Sequence, residues 1–171
     1  MAKSGRLRTD KRAAQLYTFE QRQRRDATVW TLVQGVLAPV QFLVFLLSVA
    51  LILRYLATGE GIAAANASIV VKTLLLYTIM ITGSIWEKVV FGRWLFADAF
   101  FWEDVVSMLV LALHTAYLVC LFRSLLGPVE LMVLALAAYA TYAVNAAQFI
   151  LKLRAARLSA TAHIGAMEVA R

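Results

Sequence analysis

Five stretches of this chain carry no charged side chain: residues 27–53, 61–71, 73–86, 105–122 and 131–151. In hydrocarbon, a backbone must satisfy its own hydrogen bonds, which restricts a spanning segment of this kind to a helix or a closed barrel. About 20 apolar helical residues cross a bilayer core. The first and last stretches reach that length alone. Residues 105–122 reach it by taking in Glu103 and Asp104. The two stretches flanking Lys72 join into one span with a lysine in its outer half. Short polar connections between the spans force neighbours to run antiparallel. The chain is therefore predicted to be an all-α, four-transmembrane-helix bundle. Its spans fall at about 28–55, 67–91, 100–122 and 130–157.

Composition agrees with a lipid solvent. Hydrophobic residues make up 62% of the chain and the mean hydropathy is +0.75, whereas soluble domains are closer to half apolar. The first span is too long for a signal-peptide core and no small-residue cleavage site follows it, so it is expected to be retained. Cys120 is the single cysteine, which excludes an internal disulfide and a multi-cysteine metal site. The expected organisation is a basic cytoplasmic segment over 1–27, a four-helix membrane domain over 28–157 and a disordered cytoplasmic tail over 158–171.

The net charge of +7 invites a nucleic-acid reading, but its distribution argues against one. All of the 17 Lys and Arg residues except Arg54, Lys72 and Arg123 fall in the two tails or the 88–93 loop. That asymmetry is the positive-inside pattern and places both termini in the cytoplasm. Basic tails also attract anionic lipid headgroups. Thr18 and Gln21 have capping-box spacing ahead of a short surface helix. Pro39 falls inside the first span, where it cannot donate to the carbonyl of Gly35.

Ionisable groups at membrane depth are expensive, so each is weighed for function. Glu87 lies about one turn from the inner, negative end of its helix, where a carboxylate is disfavoured. The bland alternative is a rim acid reaching water or Arg93. Glu103 and Asp104 occupy the first turn of the third span, where acids belong on dipole grounds alone. Glu103, Ser107 and His114 share a face by spacings of four and seven, while Asp104 points about 100° away. This ranks Glu103 as the partner of His114 and Asp104 as a helix-end acid. His114, near the midplane, could be a satisfied structural group, a proton relay or a contact for a metal carried by the substrate. With no second histidine in the membrane, no resident metal site is expected.

Gln34, Asn145 and Gln148 fall at the depth of the acids, on two further helices. Such amides usually bond across helices, but four helices then offer polar groups at one level, as an inward-opening pocket would. Trp86, Phe91, Trp94, Phe96, Phe100, Phe101 and Trp102 crowd the same level. An interfacial aromatic belt explains them; so does a large flat ligand.

The segment Arg25-Asp26-Ala27-Thr28-Val29-Trp30-Thr31-Leu32-Val33-Gln34-Gly35-Val36-Leu37-Ala38-Pro39 resembles the opening of the 3-vinyl bacteriochlorophyllide hydratase family. So do Ile85-Trp86-Glu87-Lys88-Val89-Val90-Phe91-Gly92, Phe100-Phe101-Trp102-Glu103-Asp104-Val105-Val106-Ser107-Met108 through His114-Thr115-Ala116-Tyr117, and Tyr139-Ala140-Thr141-Tyr142 to Gln148-Phe149. The likeness covers residues 17–157. It implies addition of water to the C3 vinyl group of a chlorophyllide-type pigment such as chlorophyllide a, in a bacterial inner membrane, without a redox cofactor.

That chemistry needs an acid, a base or water-positioning group, and a flat apolar cleft. Our own reading of the residues makes Glu87 and Glu103 the catalytic pair, with Asp104 in reserve and His114 orienting water or touching the pigment magnesium. Lys88 or Arg93 would meet the pigment propionate, with Trp86, Trp102, Gln34, Asn145 and Gln148 lining the pocket. A non-catalytic tetrapyrrole-binding or carrier protein is the alternative. A transporter would need several copies of so narrow a bundle, and a homo-oligomer stays open.

Overall fold

The computed structural model describes residues 16–169, with side chains over 16–157. Its described residues form five helices and no strand: α1 Phe19–Ala27, α2 Val29–Thr58, α3 Ile62–Phe91, α4 Phe101–Phe122 and α5 Pro128–Val169. Four of them, α2, α3, α4 and the Pro128–Arg157 part of α5, are long and apolar enough to cross a membrane. The chain is a multi-pass membrane protein. Helix α5 continues in backbone past Arg157, the predicted end of the membrane domain. The final residues, 170 and 171, lie outside the described ones, as do residues 1–15 of the basic N-terminal segment.

Local chemistry sets the helix ends. Thr18 and Gln21 form the expected capping box at α1: the Gln21 N–H donates to Thr18 Oγ1 at 3.2 Å and the Thr18 N–H to Gln21 Oε1 at 2.9 Å. Thr28 ends α1 and caps α2 through its hydroxyl. At the other face, α2 runs three residues past the predicted Tyr55 and α3 starts five before the predicted Ala67, because Gly59 (φ 74°) and Gly61 (φ 86°) turn the chain within a few residues. Only glycine enters that left-handed region freely.

The helices form two hairpins. Helix α2 packs closely along α3, and α4 along α5, while α3 meets α4 and α2 meets α5 only thinly. The half of the bundle away from the tails closes on Ile52, Ile69, Tyr117, Met132 and Tyr139, all buried. Hydrogen bonds join the hairpins there: Tyr139 Oη donates to Ser48 Oγ at 2.6 Å and Tyr117 Oη to Asn66 Oδ1 at 2.7 Å. Tyr139→Phe is expected to lower stability in detergent by about 0.6 to 1.7 kcal/mol, the range for a side-chain bond between membrane helices. An unchanged unfolding midpoint would show that this bond does not hold the hairpins together.

Toward the tails, aromatic rings replace hydroxyls. Phe100 sits at the centre, with ring centroids 5.7 Å from Trp86, 5.8 Å from Phe91, 5.7 Å from Phe149 and 6.4 Å from Tyr17. Much of the predicted aromatic belt is therefore a packed plug. Trp94, Phe101 and Trp102 are the exposed members, at 59%, 43% and 69%. The plug also docks α1, since Tyr17 stacks on Phe91 at 5.7 Å and lies under the Arg25 guanidinium. Burial raises the Tyr17 hydroxyl above its ordinary pKa, against the opposing pull of Arg25.

Candidate active site

The acidic residues lie at the thin seam between the hairpins. Glu87 comes from the last turns of α3, which Gly92 (φ 82°) ends. Glu103 and Asp104 come from the first turn of α4. All three are buried, at 5%, 7% and 4% exposure.

Glu87 and Asp104 face one another across the seam with their carboxyl groups in hydrogen-bonding contact. Two carboxyl groups this close cannot comfortably both be ionised, and a hydrogen bond between them needs one proton. The connecting loop wraps the pair. The Ala97 N–H donates to Glu87 Oε2 at 3.2 Å and the Phe96 N–H to Asp104 Oδ2 at 2.8 Å. Phe96 is held at φ 57°, an unfavourable conformation for a bulky residue. The Asp104 bond helps fix that conformation, so Asp104 shapes the loop while facing Glu87. Helix spacing alone ranks Asp104 as a helix-end acid, in reserve behind Glu103; in the structure Asp104, not Glu103, is the acid that faces Glu87.

Glu103 points the other way, to α5. Lys152 Nζ lies 2.5 Å from Glu103 Oε2 and 5.2 Å from the Phe100 ring centroid. The Glu103 carbonyl accepts from Ser107 Oγ and Asn145 Nδ2, both at 2.8 Å, and Ser107 Oγ also donates to Asn145 Oδ1 at 3.2 Å. Glu103 does not reach His114, contrary to the pairing predicted from helix spacing. Eleven residues separate them, roughly 16 Å of helix rise. Both first-turn acids are buried because α4 starts between two neighbours: Glu103 faces α5 and Asp104 faces α3.

His114 belongs to another layer. It is fully buried, and its Nδ1 lies 2.8 Å from the Val110 carbonyl, so that nitrogen carries the hydrogen in the neutral ring and Nε2 bears the lone pair. The Nε2 atom has no hydrogen-bond partner among the described residues, and neither does Lys72 Nζ, which sits 3.7 Å from the Tyr142 ring centroid. The apolar cluster of Leu76, Val110 and Tyr142 separates this layer from the acids.

The remaining candidates divide. Gln34 braces α2 to α3, donating to Thr82 Oγ1 at 2.7 Å. Trp86 does the same through Nε1 to Thr31 Oγ1 at 2.9 Å. Lys88 caps its own helix end, donating to the Gly92 carbonyl at 3.0 Å. Arg93 pairs with Asp98 at 3.2 Å, not with Glu87. Gln148 shares the face of Asn145 and Lys152, and its buried Oε1 has no partner among the described residues. Lys152, counted by topology among the charges of the C-terminal tail, is the added member. Its signal was present: Asn145, Gln148 and Lys152 follow spacings of three and four, a single helix face.

A cleft of about 490 Å³ opens beside this cluster. Gln21, Phe91, Arg93, Ala97, Asp98 and Lys152 contribute to its lining. Ala97 donates to Glu87 and Lys152 pairs with Glu103, so the cleft reaches both arms of the acidic cluster.

A family model described as 2-vinyl bacteriochlorophyllide hydratase matches residues 17–155. The chain belongs to this family. A 2-vinyl bacteriochlorophyllide hydratase of Cereibacter sphaeroides is 69% identical over 143 residues, covering 84% of this chain and 89% of that protein. The Rhodobacter capsulatus protein of the same name is 65% identical over 145 residues, covering 85% and 84%. These names give the number 2 to the vinyl group that the other ring numbering calls 3. The hydratase family match takes in Glu87, Glu103, Asp104, Asn145 and Lys152. No solved structure matches the chain.

Proposed function

We propose that this protein adds water to the vinyl group of a chlorophyllide-type magnesium tetrapyrrole, giving a 1-hydroxyethyl group in bacteriochlorophyll synthesis. The observation that carries the mechanism is the Glu87–Asp104 carboxyl pair at a seam beside a cleft. A proton held between the two carboxyls passes to the terminal vinyl carbon, which takes up the π electrons. The cation left on the inner carbon is delocalised into the macrocycle and faces the carboxylate just formed, a charge placed where the transition state needs it. Water bonds to the inner carbon and loses a proton to Glu103. Solvent in the cleft returns that proton to the pair, and the sum is one water added.

The other candidates take supporting places in this reading. Asn145 and Ser107 hold the start of α4 in position through the Glu103 carbonyl. Gln148 offers its unpartnered oxygen to the attacking water. The exposed rings of Trp94, Phe101 and Trp102 give a flat pigment a lateral approach from the lipid, while Trp86 and Gln34 brace the wall behind. His114 and the pigment magnesium are not joined in this mechanism, because the ring nitrogen lies in the closed layer below. Lys88 and Arg93 stand at the rim. The excess of Lys and Arg in the tails supports a reading with both termini in the cytoplasm of a bacterial inner membrane.

Incubating membranes that contain the protein with a 3-vinyl chlorophyllide tests the activity. Loss of the vinyl group shortens the conjugated system and shifts the red absorbance band to the blue. A bound pigment with an unshifted, unconsumed vinyl group would favour the carrier reading instead.

A further inference from the structure

We propose that Lys152 and Arg93 form a subsite for the free carboxylate of the pigment, and that occupation of this subsite draws Lys152 away from Glu103. The inference rests on the hydratase reading for its substrate and for the role of Glu103, and concerns Lys152 and Arg93, to which that reading gives no chemical role.

Both cations line the cleft, Arg93 from the connection between α3 and α4 and Lys152 from α5. Each already has an acidic partner, Asp98 at the same cleft for Arg93 and Glu103 behind it for Lys152, so an incoming carboxylate must compete for both. The Arg93–Asp98 pair is exposed, with side-chain exposures of 62% and 94%, and exposed pairs of this kind contribute little. Lys152 is different in kind. Its side chain is 27% exposed while its partner Glu103 is 9% exposed, so the lysine end touches the cleft and the glutamate lies behind it. The four-carbon stem gives the ammonium several ångströms of travel without backbone motion. Lys88, the other lysine near the rim, does not line the cleft and donates to the Gly92 carbonyl.

A carboxylate arriving between Arg93 and Lys152 competes with Glu103 for the same ammonium. If it wins, Glu103 is left buried without its cation. Glu103, no longer held by the ammonium, is then free to accept a proton from the attacking water. Binding of the acid end of the substrate would then switch on the base. An esterified pigment, carrying the same vinyl group and no carboxylate, would leave the Lys152–Glu103 pair closed.

The test compares 3-vinyl chlorophyllide with its methyl ester in detergent-solubilised full-length protein, measuring both Kd by fluorescence titration and kcat/KM by absorbance. Wild type should bind the free acid at least about tenfold more tightly than the ester, the effect of one charge-assisted hydrogen bond at a part-buried site. It should turn the acid over faster by more than that binding ratio. In Lys152→Met the preference in Kd should fall to near unity, and Lys152→Arg should restore part of it. Equal Kd values for acid and ester in wild type would overturn the subsite. So would a Lys152→Met variant that weakens both ligands by one common factor, since a merely structural lysine would act that way. Preference for the acid in Kd without any hydration would uphold the subsite and sink the hydratase reading, so the two failures are distinguishable.

Discussion

Glu87→Gln should lower vinyl hydration by about 10²- to 10⁴-fold, the usual worth of a positioned general acid, with the protein still inserted and folded. The amide oxygen introduced by this substitution can still accept the Ala97 N–H that now bonds Glu87 at 3.2 Å, so the loop need not open. What goes is the proton shared with Asp104. Asp104→Asn should fall into the same range, because its amide oxygen can keep the Phe96 N–H bond while the pair again loses its shared proton. The double variant should be no slower than the slower single, since two residues that act as one unit are not additive. Turnover rates with membrane protein levels check all three. Full activity in either single variant would remove the pair from the chemistry, and parallel losses of protein and activity would mark it as structural.

Phe100→Ala should have the largest effect on stability. Phe100 is 2% exposed and contacts four rings from α1's lead-in, α3 and α5. Removing a buried phenyl group costs about 3 to 5 kcal/mol when the site cannot collapse, and a hole ringed by Tyr17, Trp86, Phe91 and Phe149 has little freedom to collapse. The same residue accepts the Asp104 N–H at 2.9 Å and donates to the Ala97 carbonyl at 2.8 Å, so a shifted backbone here would disturb both loop bonds to the acids. A lowered denaturation midpoint in detergent is expected, together with faster labelling of a cysteine placed at Tyr17. Phe100→Leu should recover most of the midpoint. A midpoint equal to wild type in Phe100→Ala would show that α1 and the hairpins are held by something else.

The four membrane helices were legible because charge exclusion from hydrocarbon is a strong, one-dimensional signal. The helix bounds beside the predicted turn differ: helix runs to Thr58 and resumes at Ile62, because Gly59 and Gly61 confine the turn to a few residues. Glu87 was legible as a carboxylate placed against its own helix dipole. The pairing of the acids was not. Helix periodicity tells which residues share a face but not which face meets which neighbour, and the ranking of Glu103 over Asp104 used His114 as its reference. His114 lies in a separate layer, behind Leu76 and Val110. Lys152 was hidden for a different reason. Basic residues at the inner end of a membrane helix are expected on topology grounds alone, so one that turns inward to meet Glu103 looks like its neighbours until the chain is folded. Trp86 and Gln34 show the converse, polar groups at site depth that mainly tie α2 to α3.

If the Glu87–Asp104 pair drives addition of water across a vinyl group, both elements of that water can be followed into the product. Purified wild type and the Glu87→Gln/Asp104→Asn double variant are supplied with 3-vinyl chlorophyllide in deuterated, oxygen-18 water, and the pigment is read by mass spectrometry. Wild type should place one oxygen-18 on the inner carbon and one deuterium on the new methyl group, while the double variant leaves the vinyl pigment unlabelled. Equal labelling by the two proteins, or a hydroxyl oxygen that does not come from the water, would refute the role assigned to the pair.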